Sequence, residues 1–242
     1  MKKLLSLSLA SLAFAAVADY QPIQVGVTKI TAAGDETIIP VPYTTIGGTT
    51  DVSVHDLVKA ANLMDGTFLY YYNGTSYQVW MKSGSEWTTP DVATTPAIPG
   101  ASVTQGSSEV SVAVGAALWI KMDYEKASGD QRNIYVYGAP ATPSWKIVAG
   151  KANLISNPTD SEITGATLAN MLDTVSQKGD KIFPISTESH VYWARAKDNT
   201  WSAVSSEGSG ITVTKEANLP DLEAYQGLWY VSKTGSGTVN FQ

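Results

Sequence analysis

The chain has 242 residues, 16% of them charged, and 16 Lys and Arg against 22 Asp and Glu give a net charge of −6. Charge so sparse, scattered and acidic repels phosphate backbones and disfavours nucleic-acid binding. With no cysteine and 2 histidines, the chain has no disulfide, thiol nucleophile, iron–sulfur cluster or lipid-bearing cysteine, and zinc is left only a carboxylate-dominated site.

The opening residues read as a secretory signal peptide. Lys2 and Lys3 give a positive start, Leu4 to Phe14 an apolar stretch, and Ala16-Val17-Ala18 a small-residue cleavage site, so residues 1–18 are the expected leader. The apolar stretch is shorter than the roughly 20 residues of a spanning helix, and no later segment reaches that length. A mature protein without an integral membrane segment is expected, in the periplasm, on the surface or in the medium of a bacterium.

Extended segments follow at 25–30 and 36–42. An amphipathic helix comes next: Ser53 caps it, Asp56 is the capping-box partner, and Val54, Leu57, Val58 and Ala61 line one face. Asp65-Gly66 ends it. Residues 68–80 read as a hairpin whose Asn73-Gly74 dipeptide predicts a type I′ turn. A second tight turn at Ser83-Gly84-Ser85 precedes Trp87, and 88–107 is a Pro/Thr/Ser-rich loop suited to partner contacts. Strands are expected at 109–114, 118–124 and 133–137.

The two prolines in 138–143 mark a short extended connector. Beyond it, strands are expected at 145–148 and 153–156. Thr164 or Thr167 caps a helix with the stripe Leu168, Met171, Leu172 and Val175, ended by Gly179. A second hairpin spans 181–196, where Pro184 implies an edge strand or bulge. Asp198-Asn199 turns into Trp201, and strands close the chain at 211–215, 228–232 and 237–241.

The two halves repeat one pattern. An offset of 114 positions places Leu69 on Phe183, Val79 on Trp193 and Trp87 on Trp201. A shorter offset matches Trp119 with Trp229. The expected fold is therefore mainly β: two tandem antiparallel β-sandwich or partly open barrel modules, each with one short α-helix. Module 1 covers 19–138, the connector 139–143 and module 2 144–242. The connector is short enough that the halves should touch. Trp87, Trp201, Trp119 and Trp229 recur and are read as the core of the repeat.

Trp145, Asn153-Leu-Ile-Ser-Asn-Pro158, Gly179-Asp180, Tyr192-Trp193, Trp201 and Gly227-Leu-Trp-Tyr-Val231 resemble a β-rich module of secreted and surface proteins from Bacteroidetes and Verrucomicrobia. The second half matches over nearly its whole length. The first departs: Ile38-Ile-Pro-Val-Pro42 stands for the Asn-Pro element and Ala117 for the glycine before Leu118-Trp119. The resemblance implies a cell-surface or extracellular protein and carries over no catalytic residue.

Chemistry is sparse. Glu188, Ser189 and His190 invite a triad, but neighbours on one strand point to opposite faces and cannot form the relay. His55 beside Asp56 falls within the first helix. Asp65, Asp180 and Asp198 read as turn and capping residues. Asp123 and Glu125 would share a strand face, and Asp221 and Glu223 would do so if extended; both pairs read as surface acids rather than a glycosidase pair. No catalytic residue, metal ligand or cofactor is assigned. Exposed rings can stack on sugars, and Tyr71, Trp80 and Tyr192 are the ligand-binding candidates. The expected function is a non-enzymatic surface-structural or adhesive role, with self-association or extracellular glycans and cell-surface components as partners. The alternative is carbohydrate binding through exposed Tyr and Trp.

Overall fold

The computed structural model describes residues 26–31, 35–44, 52–54, 63–91, 102–107, 110–123, 125–127, 133–184, 191–207, 210–215 and 217–241. The protein is mainly β, with several antiparallel sheets, none closed into a barrel, and one described helix. The expected leader, His55, Asp56 and the stripe Leu57, Val58 and Ala61 fall outside the described residues, as do Glu188, Ser189 and His190.

Two larger sheets dominate. The first runs β2 (Glu36–Pro40), β10 (Ala117–Lys121), β5 (Phe68–Tyr72), β6 (Tyr77–Ser83) and β7 (Glu86–Thr88), with β8 (Val103–Gln105) pairing parallel to β6. The second runs β13 (Ala152–Ser156), β18 (Gly227–Val231), β14 (Lys181–Pro184), β15 (Val191–Arg195), β16 (Trp201–Glu207) and β17 (Gly210–Thr214). Three small sheets complete the fold. They are β1 (Gly26–Thr31), β11 (Asn133–Pro140) and β3 (Tyr43–Thr44); β4 (Val52–Ser53) with β9 (Ser111–Val112); and β12 (Ser144–Ile147) with β19 (Gly237–Asn240).

Strands 2, 10, 5, 6 and 7 follow one another in the first large sheet as strands 13, 18, 14, 15 and 16 do in the second. The hairpins open on matching bonds. Gly66 N–H donates to the Lys82 carbonyl at 3.0 Å and Lys82 N–H to Thr67 at 2.9 Å; Gly179 donates to Arg195 at 3.0 Å and Arg195 to Asp180 at 2.9 Å. These bonds set the hairpin offset at one residue fewer than the tryptophan spacing does. Leu69 thus occupies the place of Ile182, not Phe183, and Trp80 that of Trp193. The turn before Trp201 holds the extra residue: Ser83 pairs directly with Glu86, whereas Ala196 N–H bonds to the Thr200 carbonyl. A one-residue slip exchanges the faces of a strand, so this correction decides which side chains are interior.

The hairpin 68–83 also turns differently from the expectation. Asn73 to Ser76 form a four-residue loop in which Asn73 Oδ1 accepts from the Thr75 and Ser76 amides, and only Gly74 of the dipeptide takes a positive φ, +93°. Pro184 is the last residue of a strand lying between β18 and β15, not on an edge. Ala139 and Pro140, read as connector, extend β11 and pair with Thr44 and Tyr43.

The helix α1 (Gly165–Leu172) starts where Thr164 Oγ1 accepts from the Thr167 amide. It buries Gly165, Leu168 and Leu172 and ends at Asp173, well before Gly179. Gly179 instead shapes the following turn at φ +92°. Asp221 accepts from the Gly165 amide at 2.7 Å, so a carboxylate meets the positive end of the helix.

Each half has its own interior. In the first, Leu69, Trp80, Leu118 and Ile120 pack against Ile30, Ile134 and Val136 of the small sheet. In the second, Ile155, Ile182, Leu228 and Tyr230 pack with Trp145, Val239, Leu168 and Leu172. A third apolar layer joins the halves. Ile38, Tyr70, Tyr77, Val79 and Trp119 of the first large sheet meet Leu154 and Trp229 of the second. Trp119 lies 6.0 Å edge-on to Trp229 and 4.8 Å from Tyr70, and Tyr77 lies 5.7 Å edge-on to Trp229. Such ring pairs each contribute about 1 kcal/mol beyond burial. Trp119 and Trp229 therefore face each other across the junction, while Trp201 fills the second interior and Trp87 flanks the first.

Candidate functional site

The acidic residues singled out in the sequence hold turns. Asp65 accepts from the Gly84 amide, Asp198 from Thr200, and Glu223 from Gln226. Asp123 lies past β10 in a turn, where its carboxylate pairs with Lys126, so it shares no strand face with Glu125. Among the described residues no group of three or more His, Cys, Asp or Glu could hold a metal ion.

The densest polar cluster is inside the second half. Asp180 is fully buried and accepts from Tyr230 Oη at 2.5 Å, from the Gln177 amide at 2.7 Å and from the Lys233 amide at 2.7 Å. Burial, followed by the bond to Asp180, pushes the Tyr230 phenol well above its ordinary range. Arg195 pairs with Asp173 and stands 5.4 Å over the Trp201 ring. A carboxylate held by three donors is an anchor: it fixes the turn after α1 to β18 and the turn beyond it.

Two clefts open along the junction of the halves. One, of about 310 Å³, is bounded by Tyr71, Tyr72 and Asn73 on one side and by Trp145, Lys146 and Asn153 on the other. The Asn153 amide is engaged by the Val148, Lys151 and Tyr230 carbonyls. The second, of about 270 Å³, lies between Lys29, Glu36 and Thr31 on one side and Tyr225 and Gln226 on the other. Tyr225 takes φ +58°, an unfavourable conformation for a bulky side chain, and its ring packs against the first interior.

A row of side chains in register crosses the second large sheet, half-buried from Leu154 to Tyr192, buried at Val204 and exposed at Val213. Leu154 is in register with Trp229, Trp229 with Phe183, Tyr192 with Val204, and Val204 with Val213. Phe183 and Tyr192 bridge the middle as a stacked pair at 5.2 Å, with Lys181 Nζ 5.0 Å from the Tyr192 ring centre. The row starts in the inter-half layer and ends in the open. Val213 is 54% exposed and Ile211, two residues away on the same face, 75%.

The structure scatters the three ligand-binding candidates. Trp80 is fully buried: the first sheet is covered on both faces, so the alternation that was to turn Trp80 outward fails. Gly106 lies so close that a Cβ there would come within 2.0 Å of the Trp80 ring. Tyr71 is half-buried at the rim of the larger cleft, and Tyr192 is half-buried on the other sheet. Phe183, Val204, Ile211 and Val213 were not among the candidates. The alternation Ile-Thr-Val-Thr was visible as a strand; that all of its residues would stand exposed was not. No protein-family model, curated protein or solved structure matches the chain.

Proposed function

We propose that this is an exported, non-enzymatic protein of a bacterial surface, built of two copies of one β-rich module, with a structural or adhesive role. The observation that carries the reading is the strand β17, every residue of which is exposed at the edge of a large sheet, with Ile211 and Val213 on one face. Exposed apolar side chains on an unpaired edge mark a surface that meets other proteins. Lys2-Lys3, the apolar stretch and Ala16-Val17-Ala18 support export. The shared strand order and matched hairpin bonds of the two halves support duplication. The buried polar groups of the second half act as anchors, which supports a scaffold rather than a reaction centre. Mass spectrometry of the protein from its own cells, with protease shaving of intact cells, tests the reading. A chain starting at Asp19 that shaving removes is expected; a cytoplasmic chain retaining residues 1–18 contradicts it.

A carbohydrate-binding role has its own support in the Phe183–Tyr192 stack beneath Lys181, an aromatic face beside a cation. Affinity electrophoresis through mucin, host glycans and plant polysaccharides tests it. Retardation lost in Tyr192→Ala is expected, and migration unchanged in every gel rejects this second reading.

A further inference from the structure

We propose that β17 is a self-complementary edge on which a second copy of this chain pairs antiparallel about a twofold axis through Thr212. The inference rests on the surface-structural reading and names its partner. Three observations converge. First, among the described residues β17 hydrogen-bonds to β16 alone and is the last strand of its sheet. Alternate residues of such a strand direct their N–H and C=O groups away from the sheet. Proteins usually blunt an edge with lysine, proline or a bulge, and Gly210-Ile-Thr-Val-Thr214 contains neither residue and pairs with β16 without interruption.

Second, the branched apolar residues Ile211 and Val213 lie symmetrically about Thr212. An antiparallel twofold through Thr212 sets Gly210 opposite Thr214 and Ile211 opposite Val213 of the second copy. Neutral faces neutral and branched apolar faces branched apolar, the cross-strand pairing that stabilises antiparallel sheets. Such a contact is isologous and closed. Lys215 follows beyond the paired stretch, in a turn.

Third, the row Trp229, Phe183, Tyr192, Val204 and Val213 reaches the edge at Val213. In the twofold pair that row continues into Ile211 of the second copy. Ile211 and Val213, 75% and 54% exposed, then gain apolar neighbours on the side where each now meets water.

Sedimentation equilibrium of the processed full-length protein, from micromolar to millimolar concentration, tests the proposal. The wild type should show a monomer–dimer equilibrium. Ile211→Lys/Val213→Lys sets lysine opposite lysine twice and should raise the dimer dissociation constant about 100-fold. Ile211→Lys/Val213→Glu sets lysine opposite glutamate twice in this register and should dimerise much as the wild type does. Circular dichroism checks that both variants fold. A wild-type monomer at all concentrations overturns the proposal, as does a dimer that Ile211→Lys/Val213→Lys leaves intact. A dimer lost in both charged variants overturns the register. None of these results depends on where the cell places the protein, so failure here and failure of the surface assignment are told apart by the shaving experiment.

Discussion

The two hairpins that follow Gly66 and Gly179 open on the same pair of backbone bonds and differ in the side chains around them. In the first half Thr67 sits where the second has Asp180, Lys82 where it has Arg195, and Ile120 where it has Tyr230. Thr67 Oγ1 is buried without a hydrogen-bond partner among the described residues, and Lys82 Nζ donates to the Gly84 carbonyl at 2.6 Å. In the second half the same positions carry the buried carboxylate, its Tyr230 donor and the arginine that pairs with Asp173, and the Gln177 and Lys233 amides complete the network. The backbone pattern therefore does not require the polar network. In the first half Asp65 and Lys82 instead bond the Gly84 amide and carbonyl at the far turn, whereas the second half holds its turn through a buried carboxylate.

The strongest way to break the comparison is at the layer the halves share. Trp119→Ala should lower the unfolding free energy by about 4 kcal/mol, because a large buried side chain is lost from both sheets. Urea denaturation of the variant measures it, and a double-mutant cycle with Trp229→Ala should show coupling of about 1 kcal/mol. Asp180→Ala should cost about 3 kcal/mol, since Tyr230 Oη and two amides lose a buried partner at once. The same titration checks that value.

The turns before β10 and β18 offer a third test. Ala116 N–H bonds to Ala113 and Gln226 N–H to Glu223, with Gly115 at φ +92° in the first turn where Tyr225 stands in the second. A Cβ on Gly115 would lie 2.1 Å from the Ser144 carbonyl oxygen. Gly115→Ala should therefore cost about 2 kcal/mol, and Tyr225→Ala less, as seen in the shift of the thermal midpoint.

Alkali probes the shared layer through its phenols. Burial, followed by the charge of Glu36, pushes Tyr70 up to about 12 from 10.0; burial drives Tyr77 higher still. A raised folded pKa means that the unfolded chain releases the proton first. The stability these phenols contribute is whole below pH 10 and is lost as pH rises toward 12. Phenolate absorbance of the two should appear together with unfolding in that window. The smallest effect has the opposite sign: Thr67→Val removes a buried unpaired hydroxyl and should stabilise by about 1 kcal/mol in the same urea assay.

Much of this was legible in the sequence, for physical reasons. Strand alternation located most strands, and Leu168 and Leu172 of the expected stripe mark the buried side of α1, while Val175 lies past its end. The tryptophan spacing set the two hairpins side by side but offset them by one residue, since the turn at Ala196–Thr200 is one residue longer than that at Ser83–Glu86. Trp80 misled because period-2 reasoning assumes one wet face, and the second half covers the other face of its sheet. Asp180 was read as a turn residue, which it is. Its bond to Tyr230 spans 50 positions, and no local pattern announces a contact that remote. The outer row was invisible for the same reason: its members come from separate strands, and only their register aligns them.

The central claim is that the aromatic layer around Trp119 and Trp229 unites two similar halves into one body. Hydrogen exchange by mass spectrometry along a urea series tests it most directly. Amides of β10, residues 117–121, and of β18, residues 227–231, should lose protection at one common midpoint. Two separate midpoints, with one strand exchanging while the other stays protected, would contradict it.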